Sequence, residues 1–354
     1  MKYEIDFLPV GEGSGDAITI RYGTDESGYT LHVVDGGRTN TAETITNHLK
    51  KYYVNPVINH MVLSHADDDH ATGLVGVMKA FKVDHLWMNR PWLYAAQTLE
   101  HFHGRYTLQG LIDRMKEDHP YLVELEKLAN EKGTVIHEVF QGDKIGAFTV
   151  LAPKRDRYIN SIPDFGKTPD RYTTEAADAQ PVGLWRAVTE AAKKWLEEKW
   201  DVETLATNPV TSASNESCVV QYAVLGEERV FLTADVGPIG LHEAADFGMQ
   251  LGINRPNFVQ VPHHGSRHNV TPDVLDRWLG PKVAEGTKVG VAFCSVGSNK
   301  HDYPRGQVTN AFMRRGFKIY STRTKFISHY SGGGHPGMVL AVAEEFQTKV
   351  EGLS

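Results

Sequence analysis

The sequence predicts an α/β protein in which two packed sheets share one functional site at an edge. Short apolar stretches alternate with segments of helical periodicity along much of the 354-residue chain. Several apolar stretches end in side chains of types that can bind metals. In α/β proteins, functional residues commonly lie at such strand ends. The densest group is the turn at 64–70, which contains two histidines and three aspartates. This turn follows a predicted buried strand and precedes a predicted helix.

The first half of the chain predicts a short antiparallel meander followed by alternating helices and strands. Glycine-rich turns join the first three predicted strands, as expected for a meander. Helical periodicity predicts helices over 41–52 and over most of 91–132, and a further helix after the acidic turn. The stretches predicted as strands lie at 4–10, 17–22, 29–34, 58–63, 83–88, 134–139 and 147–152.

The second half repeats the pattern of an apolar strand followed by polar side chains. The first two of its strands are predicted to pair as a hairpin that ends at Asp235. The third ends at the sequence Pro-His-His-Gly-Ser, residues 262–266, and the fourth at 295–299. These strands are predicted over 217–224, 229–234, 257–261 and 289–294.

An insertion of about 154–205 is predicted within a single domain that spans 1–354. Residues 154–181 are rich in Asp, Arg and Pro and predict a long surface loop. The apolar stripe over 184–196 predicts an amphipathic helix. Its tryptophans either pack on the core or belong to a lid or a partner surface. We expect residues 154–200 of this insertion to cover or border the active site.

Composition limits the classes of function. The net charge of −7 gives no global basic field that would argue for nucleic-acid binding, although a local basic patch is compatible with it. The two cysteines, Cys218 and Cys294, form no CxxC pair, which suits a reducing compartment. The first residues lack the pattern of a signal peptide, and no apolar run is long enough to span a bilayer. A cytoplasmic protein without membrane contact is therefore expected.

The acidic turn predicts a metal site. Helix capping explains Asp68 or Asp69, because aspartate is favoured at a helix N-terminus. It does not explain three carboxylates beside two imidazoles, since the carboxylates would repel one another. Carboxylate and neutral imidazole both bind divalent metals, so a bound cation would remove the repulsion.

The chain resembles the metallo-β-lactamase fold superfamily, which is marked by a HxHxDH turn, a later bridging aspartate and a later histidine. The resemblance covers almost the whole chain and implies a four-layer αββα sandwich. It is closest to the hydrolase domain of ComEC-type DNA-uptake competence proteins. The matching pieces are Val10-Gly11 with Gly15-Asp16-Ala17, Val34-Asp35-Gly36-Gly37, Leu63-Ser64-His65, Leu232-Thr233-Ala234-Asp235, Val261-Pro262-His263-His264-Gly265-Ser266 and Ser295-Val296-Gly297.

The resemblance implies two divalent metal ions, manganese or zinc. Asp67 stands where most family members have histidine, and a third histidine of the first site is missing, with Asn215 the nearest substitute. The first site is therefore expected to be weak. The implied ligands are His65 and Asp67 for the first ion, Asp69, His70 and His263 for the second, and Asp235 as the bridge between them.

Further roles follow from the same resemblance. Asp69 and Asp235 are the implied catalytic residues, and Asp69 would also orient the attacking hydroxide. Asp35 would order the acidic turn at 64–70, here also called the metal turn. His264 is expected beside the ligands or at the surface rather than among them, and the same holds for His268.

The predicted function is that of a metal-dependent hydrolase. The leading hypothesis is a phosphodiesterase or nuclease that acts on nucleic acid through a hydroxide shared by two metal ions. The partner would be nucleic acid or a small phosphodiester. One alternative is hydrolysis of a small ester, lactone or cyclic nucleotide, and another is a non-catalytic binding module with a degenerate metal site. The loop residues that either contact phosphate or are simply solvated are Asn299, Lys300, His301, Tyr303 and Arg305.

Overall fold

Two mixed seven-stranded sheets form the centre of the computed structural model, which describes residues 1–102, 104–166, 195–336, 338 and 340–351. The spatial order of the first sheet is β15-β1-β2-β3-β4-β5-β6. Its strands, in chain order, are β1 (Lys2–Phe7), β2 (Ile18–Thr24), β3 (Gly28–Val34), β4 (Val57–Val62), β5 (Lys82–Trp87), β6 (Val135–His137) and β15 (Ile327–Ser331).

The second sheet has the spatial order β14-β13-β12-β11-β10-β8-β7. Its strands are β7 (Lys144–Ile145), β8 (Phe148–Ala152), β10 (Val220–Leu225), β11 (Glu228–Leu232), β12 (Phe258–Gln260), β13 (Gly290–Cys294) and β14 (Phe317–Ser321). A separate antiparallel pair joins β9 (Trp195–Glu197) to β16 (Lys349–Glu351).

Helices occupy the outer faces of both sheets. None of the helices in the described ranges is long and apolar enough to cross a membrane. The helices before the insertion are α1 (Thr41–Tyr52), α2 (Asp68–Ala80), α3 (Ala95–Thr98), α4 (Leu108–Asp118) and α5 (Pro120–Lys132). The later ones are α6 (Arg155–Ser161), α7 (Ala213–Glu216), α8 (Pro238–Gln250), α9 (Pro272–Leu279) and α10 (Gly306–Arg314).

Three apolar cores define the layers. Between the sheets, Phe7 of β1 packs edge-to-face on Phe293 of β13, with ring centroids 5.4 Å apart. A second core lies between the first sheet and α1, α2, α4 and α5, and a third between the second sheet and α8, α9 and α10. Strand alternation sends neighbouring side chains to different cores, as Phe293 and Ala292 illustrate. The predicted four-layer αββα sandwich is thereby confirmed.

The direction of the strands places the site. The pairs β3–β4, β4–β5, β11–β12 and β12–β13 are all parallel, so the carboxyl ends of neighbouring strands meet at one sheet edge. Asp35 follows β3, the metal turn follows β4, Asp235 follows β11, and the two histidines of Pro-His-His-Gly-Ser follow β12. Ligand-capable residues from distant parts of the chain therefore converge by strand order.

The insertion differs from its prediction. Residues 154–181 were predicted to be a loop, but α6 lies there and buries Tyr158 and Ile159 against the first sheet's outer core. Trp195 and Leu196 were predicted to end a helix, but they lie in β9 because they pair with β16, a partner more than 150 residues away. The remainder of the predicted helix falls in 167–194, which lies outside the described residues.

Candidate metal centre

The metal turn is held between the end of β4 and the first turn of α2. Close backbone packing fixes it against the loop after β3. Gly73 of α2 donates its N–H to Gly37 O at 3.0 Å, and a Cβ on Gly73 would stand only 1.8 Å from Gly36 O. A side chain therefore cannot be accommodated at Gly73 without moving this loop.

Asp35 orders both histidines of the turn. Its Oδ1 accepts from Ser64 N at 2.8 Å, and its Oδ2 accepts from Ser64 Oγ at 2.7 Å and from His70 Nδ1 at 2.8 Å. Because the Ser64 hydroxyl donates to Asp35, it accepts from His65 Nδ1 at 3.0 Å. With Nδ1 as the donor in both rings, Nε2 of His65 and Nε2 of His70 face the site and are available to a metal.

Asp235 lies at the centre of three imidazoles. Its Oδ2 is 3.3 Å from His70 Nε2, 3.5 Å from His263 Nε2 and 3.6 Å from His264 Nε2. Ligand atoms around a tetrahedral zinc ion lie about 3.3–3.6 Å apart, given bonds of about 2.0–2.2 Å. Burial would raise the pKa of Asp235, but the surrounding imidazoles hold that pKa well below its usual range.

Asp16 and His264 join His70 and Asp235 in one buried ligand group. Each of the four places one ligand atom within 4.8 Å of all the others, and all four residues are buried. Burial raises the pKa of Asp16, and the neighbouring His264 and His70 only partly offset that rise. The buried site atoms without a hydrogen-bond partner are Asp16 Oδ2, His65 Nε2, His70 Nε2, Asp235 Oδ1 and both ring nitrogens of His264.

These unpartnered atoms fit a bound metal. A buried polar atom without a partner costs about 1–3 kcal/mol, so a convergence of several is unfavourable unless something binds them. Divalent cations bind imidazole nitrogen and carboxylate oxygen. The types of ligand atom present therefore suit a divalent metal. This conclusion does not depend on the resemblance to a protein family.

His263 is positioned from outside by an amide. Its Nδ1 donates to Asn269 Oδ1 at 2.7 Å, which leaves Nε2 directed at Asp235. Asn269 also donates to Asp235 O at 2.8 Å, so one side chain links two strand ends. Asn215 turns its Nδ2 towards His263 Nδ1 at 3.3 Å and towards Thr211 Oγ1 at 3.2 Å. It therefore contacts a predicted ligand without entering the ligand group.

The remaining aspartates of the turn lie at its solvent side. Asp67 Oδ2 is 3.6 Å from His65 Nε2, and Asp67 Oδ1 accepts from Ser214 Oγ at 3.1 Å. Asp69 Oδ2 lies 3.8 Å from Arg38 Nη2. Asp67 and His65 are thus close enough to bind one ion together, next to the group of four. Asp69 faces an arginine and lies outside that group.

A cavity of about 320 Å³ opens beside the turn. Asp67 and Asp69 line it together with Arg38, and Phe165 and Gly166 also contribute to its lining. Phe165 and Gly166 belong to the inserted segment, so its described beginning borders the site. Whether residues 167–194 also cover the site stays a prediction.

The predicted substrate loop contacts two segments that lead into the site. Asn299 Oδ1 accepts from Gly13 N at 2.8 Å, in the turn that leads to Asp16. Arg305 N donates to Gly265 O at 3.0 Å, next to His264. Lys300 and His301 are exposed, whereas Tyr303 lies under the Arg305 guanidinium at 4.4 Å. These hydrogen bonds support the segments that carry Asp16 and His264. None of the loop side chains named here belongs to the ligand group.

Asp16 and Asn269 lie in the site, although the sequence pattern does not predict them there. Asp16 lay in one of the quoted motif pieces, and its glycine-rich turn was the available signal. Gly15 approaches Asp69 so closely that a Cβ would stand 2.3 Å from Asp69 O. Asn269 gave no signal, because a single asparagine in a loop is unremarkable until its partners are known.

Comparison with known proteins gives a likeness of fold. No family model matches the chain, and no curated protein is similar to it. Among solved structures, zinc-bound PqqB from Methylobacterium extorquens is 9% identical, with a TM-score of 0.41 over 92% of this chain and 99% of that chain. The dizinc quorum-quenching lactonase AidC is 14% identical, with a TM-score of 0.31 over 67% of each chain.

A motif mutant of a metallo-beta-lactamase from Cronobacter sakazakii is 11% identical, with a TM-score of 0.32 over 72% of this chain and 75% of that chain. Similarities of this size assign no activity. The class of protein is therefore defined by its own architecture, an αββα sandwich with a buried candidate metal centre at one sheet edge.

Proposed function

We propose that this protein is a metal-dependent hydrolase of the metallo-β-lactamase fold type that cleaves phosphodiesters. The observation that carries the proposal is the convergence of unpartnered buried ligand atoms at the edge of the sheets. Divalent ions bound there would polarise a phosphoryl oxygen and lower the pKa of the attacking water. Asp35 and Asn269 would keep His70 and His263 oriented towards those ions.

The cavity beside the turn favours a small phosphodiester or the end of an oligonucleotide over a long duplex. Arg38 is the one lysine or arginine among the described residues that line this cavity. A polymer would need a basic groove, which the described lining does not form. Arg38 would exchange its 3.8 Å approach to Asp69 for a substrate phosphate, and Asp69 would then be free to accept a proton.

The experiment compares substrates on the metal-loaded protein. We expect turnover of bis(p-nitrophenyl) phosphate, faster turnover of a cyclic dinucleotide, and slow cleavage of a long DNA duplex. Arg38→Ala should raise KM for the charged substrates about tenfold while sparing a neutral lactone. Arg114→Ala, an exposed change on α4, is the matched control.

Two outcomes would contradict the proposal. Hydrolysis of a lactone or ester without any phosphodiesterase activity would favour the alternative hydrolase. Full metal loading without turnover of any of these substrates would favour a non-catalytic binding module. Faster cleavage of the duplex than of the dinucleotide would contradict the preference for small substrates and would favour a nuclease that acts on long nucleic acid.

Metal preference tests the role of Asp67. We expect higher activity with manganese than with zinc, because the predicted first site offers the carboxylates of Asp67 and Asp235 beside the one imidazole of His65. Oxygen-rich sites suit manganese, whereas imidazole-rich sites suit zinc. Asp67→His should shift the preference towards zinc, since it adds an imidazole beside His65. Turnover is measured after the metal is stripped and each ion is restored separately. Asp68→His is the control, and an unchanged ratio of zinc to manganese activity in Asp67→His would show that Asp67 does not set the metal.

A further inference from the structure

A second buried group of ligand-capable side chains lies away from the candidate centre. It joins Asp6 of β1, His48 of α1 and His335, which follows the edge strand β15. Asp6 Oδ2 is 3.0 Å from His48 Nε2 and 2.7 Å from His335 Nε2. The side chains of all three are at least nine-tenths buried. The group is therefore assembled by tertiary contacts between three separate elements.

Asp6 is a carboxylate at a buried strand position where an apolar side chain is expected. Ile5 and Phe7 on either side of it face the core between the sheets, whereas Leu8 faces the core beneath α1. Strand alternation places Asp6 on that second face, where an apolar side chain would be expected. Asp6 is fully buried, and its Oδ1 has no hydrogen-bond partner. A buried carboxylate in this setting requires a cation nearby.

Hydrogen bonding alone leaves this group incompletely satisfied. Both imidazoles direct Nε2 at the same carboxylate oxygen, so both would have to carry a proton there. The second carboxylate oxygen would still be unpartnered. A divalent ion would instead accept both imidazole lone pairs and both oxygens of Asp6.

We infer that Asp6, His48 and His335 form a second metal site, which binds a divalent transition ion of the zinc class. The site is structural, because it ties the chain after β15 to β1 and α1. Tyr52 stacks on the His335 ring with centroids 3.9 Å apart and covers the site. His48 and Tyr52 also line a cavity of about 560 Å³, so this cavity borders the site on the His48 side. The inference does not depend on the proposed hydrolase activity.

Zinc counting tests the site. The full chain is stripped with a chelator and titrated with zinc, and bound zinc is measured by mass spectrometry after free metal is removed. We expect His335→Gln to bind one zinc fewer per chain than the parent, and Asp235→Ala to keep that zinc. The matched control is His242→Gln, which removes a histidine paired at 3.0 Å with the single carboxylate of Asp273. It should retain the parent's zinc count.

Equal zinc counts in the parent and in His335→Gln would overturn the inference. A second measurement covers the case in which the variant does not fold. Zinc-loaded crystals of the unaltered protein should give an anomalous difference peak between Asp6, His48 and His335 at the zinc absorption edge. A map without this peak would overturn the inference whatever the variants do.

Discussion

Replacement of Asp235 by alanine is expected to abolish hydrolysis while the fold survives. Asp235 Oδ2 lies within 3.6 Å of three imidazole nitrogens, so the change removes the anion that their ligand atoms share. Loss of a residue that merely supports a ligand lowers metal affinity or activity about 10–100-fold. We expect kcat/KM to fall by more than about 100-fold here, because a central donor itself is lost.

The measurement combines turnover of bis(p-nitrophenyl) phosphate with metal content and circular dichroism. Asp246→Ala is the control, since it removes an exposed aspartate from α8, the helix that follows Asp235. It should retain the parent's turnover. A folded and metal-loaded Asp235→Ala protein with near-normal turnover would rule out the central role of this carboxylate.

Arg314→Met is expected to lower the free energy of unfolding by about 3–5 kcal/mol, because it leaves a buried carboxylate without its cation. Arg314 Nη1 is 3.0 Å from Glu198 Oε2, and both side chains are fully buried. The guanidinium also donates to the carbonyl oxygens of Lys199, Trp200 and Val202. This one side chain therefore anchors residues 198–202, in the last part of the predicted insertion.

Urea titration of the parent and the variant measures this effect. Arg277→Met is the matched control, because its pair with Asp246 is exposed and such pairs contribute about 0–1 kcal/mol. Adding Glu198→Gln to Arg314→Met should recover part of the loss, since it removes the uncompensated charge. If Arg314→Met is no less stable than Arg277→Met, the buried pair does not anchor this segment.

Local sequence pattern predicted the elements well where one face of an element is buried. Every stretch predicted as a strand overlaps an observed strand, and the helices predicted at 41–52 and after the acidic turn are present as α1 and α2. Periodicity succeeds in such segments because it reports burial of one face. It failed at Trp195, whose pairing with Glu351 in β16 depends on a distant part of the chain.

By itself, the sequence determined the residue types at the strand ends, and it predicted a metal site at the turn of 64–70. Carboxylates crowded beside His65 and His70 repel one another and favour a bound cation, so this prediction needed no structure. Tertiary structure alone decided which of those residues meet. Parallel pairing of β11 with β12 brings His264 to Asp235, and the turn after β1 brings Asp16 to both. Local sequence patterns indicate which residues are buried, but they do not indicate the order in which strands pair. That order determines which distant residues come together.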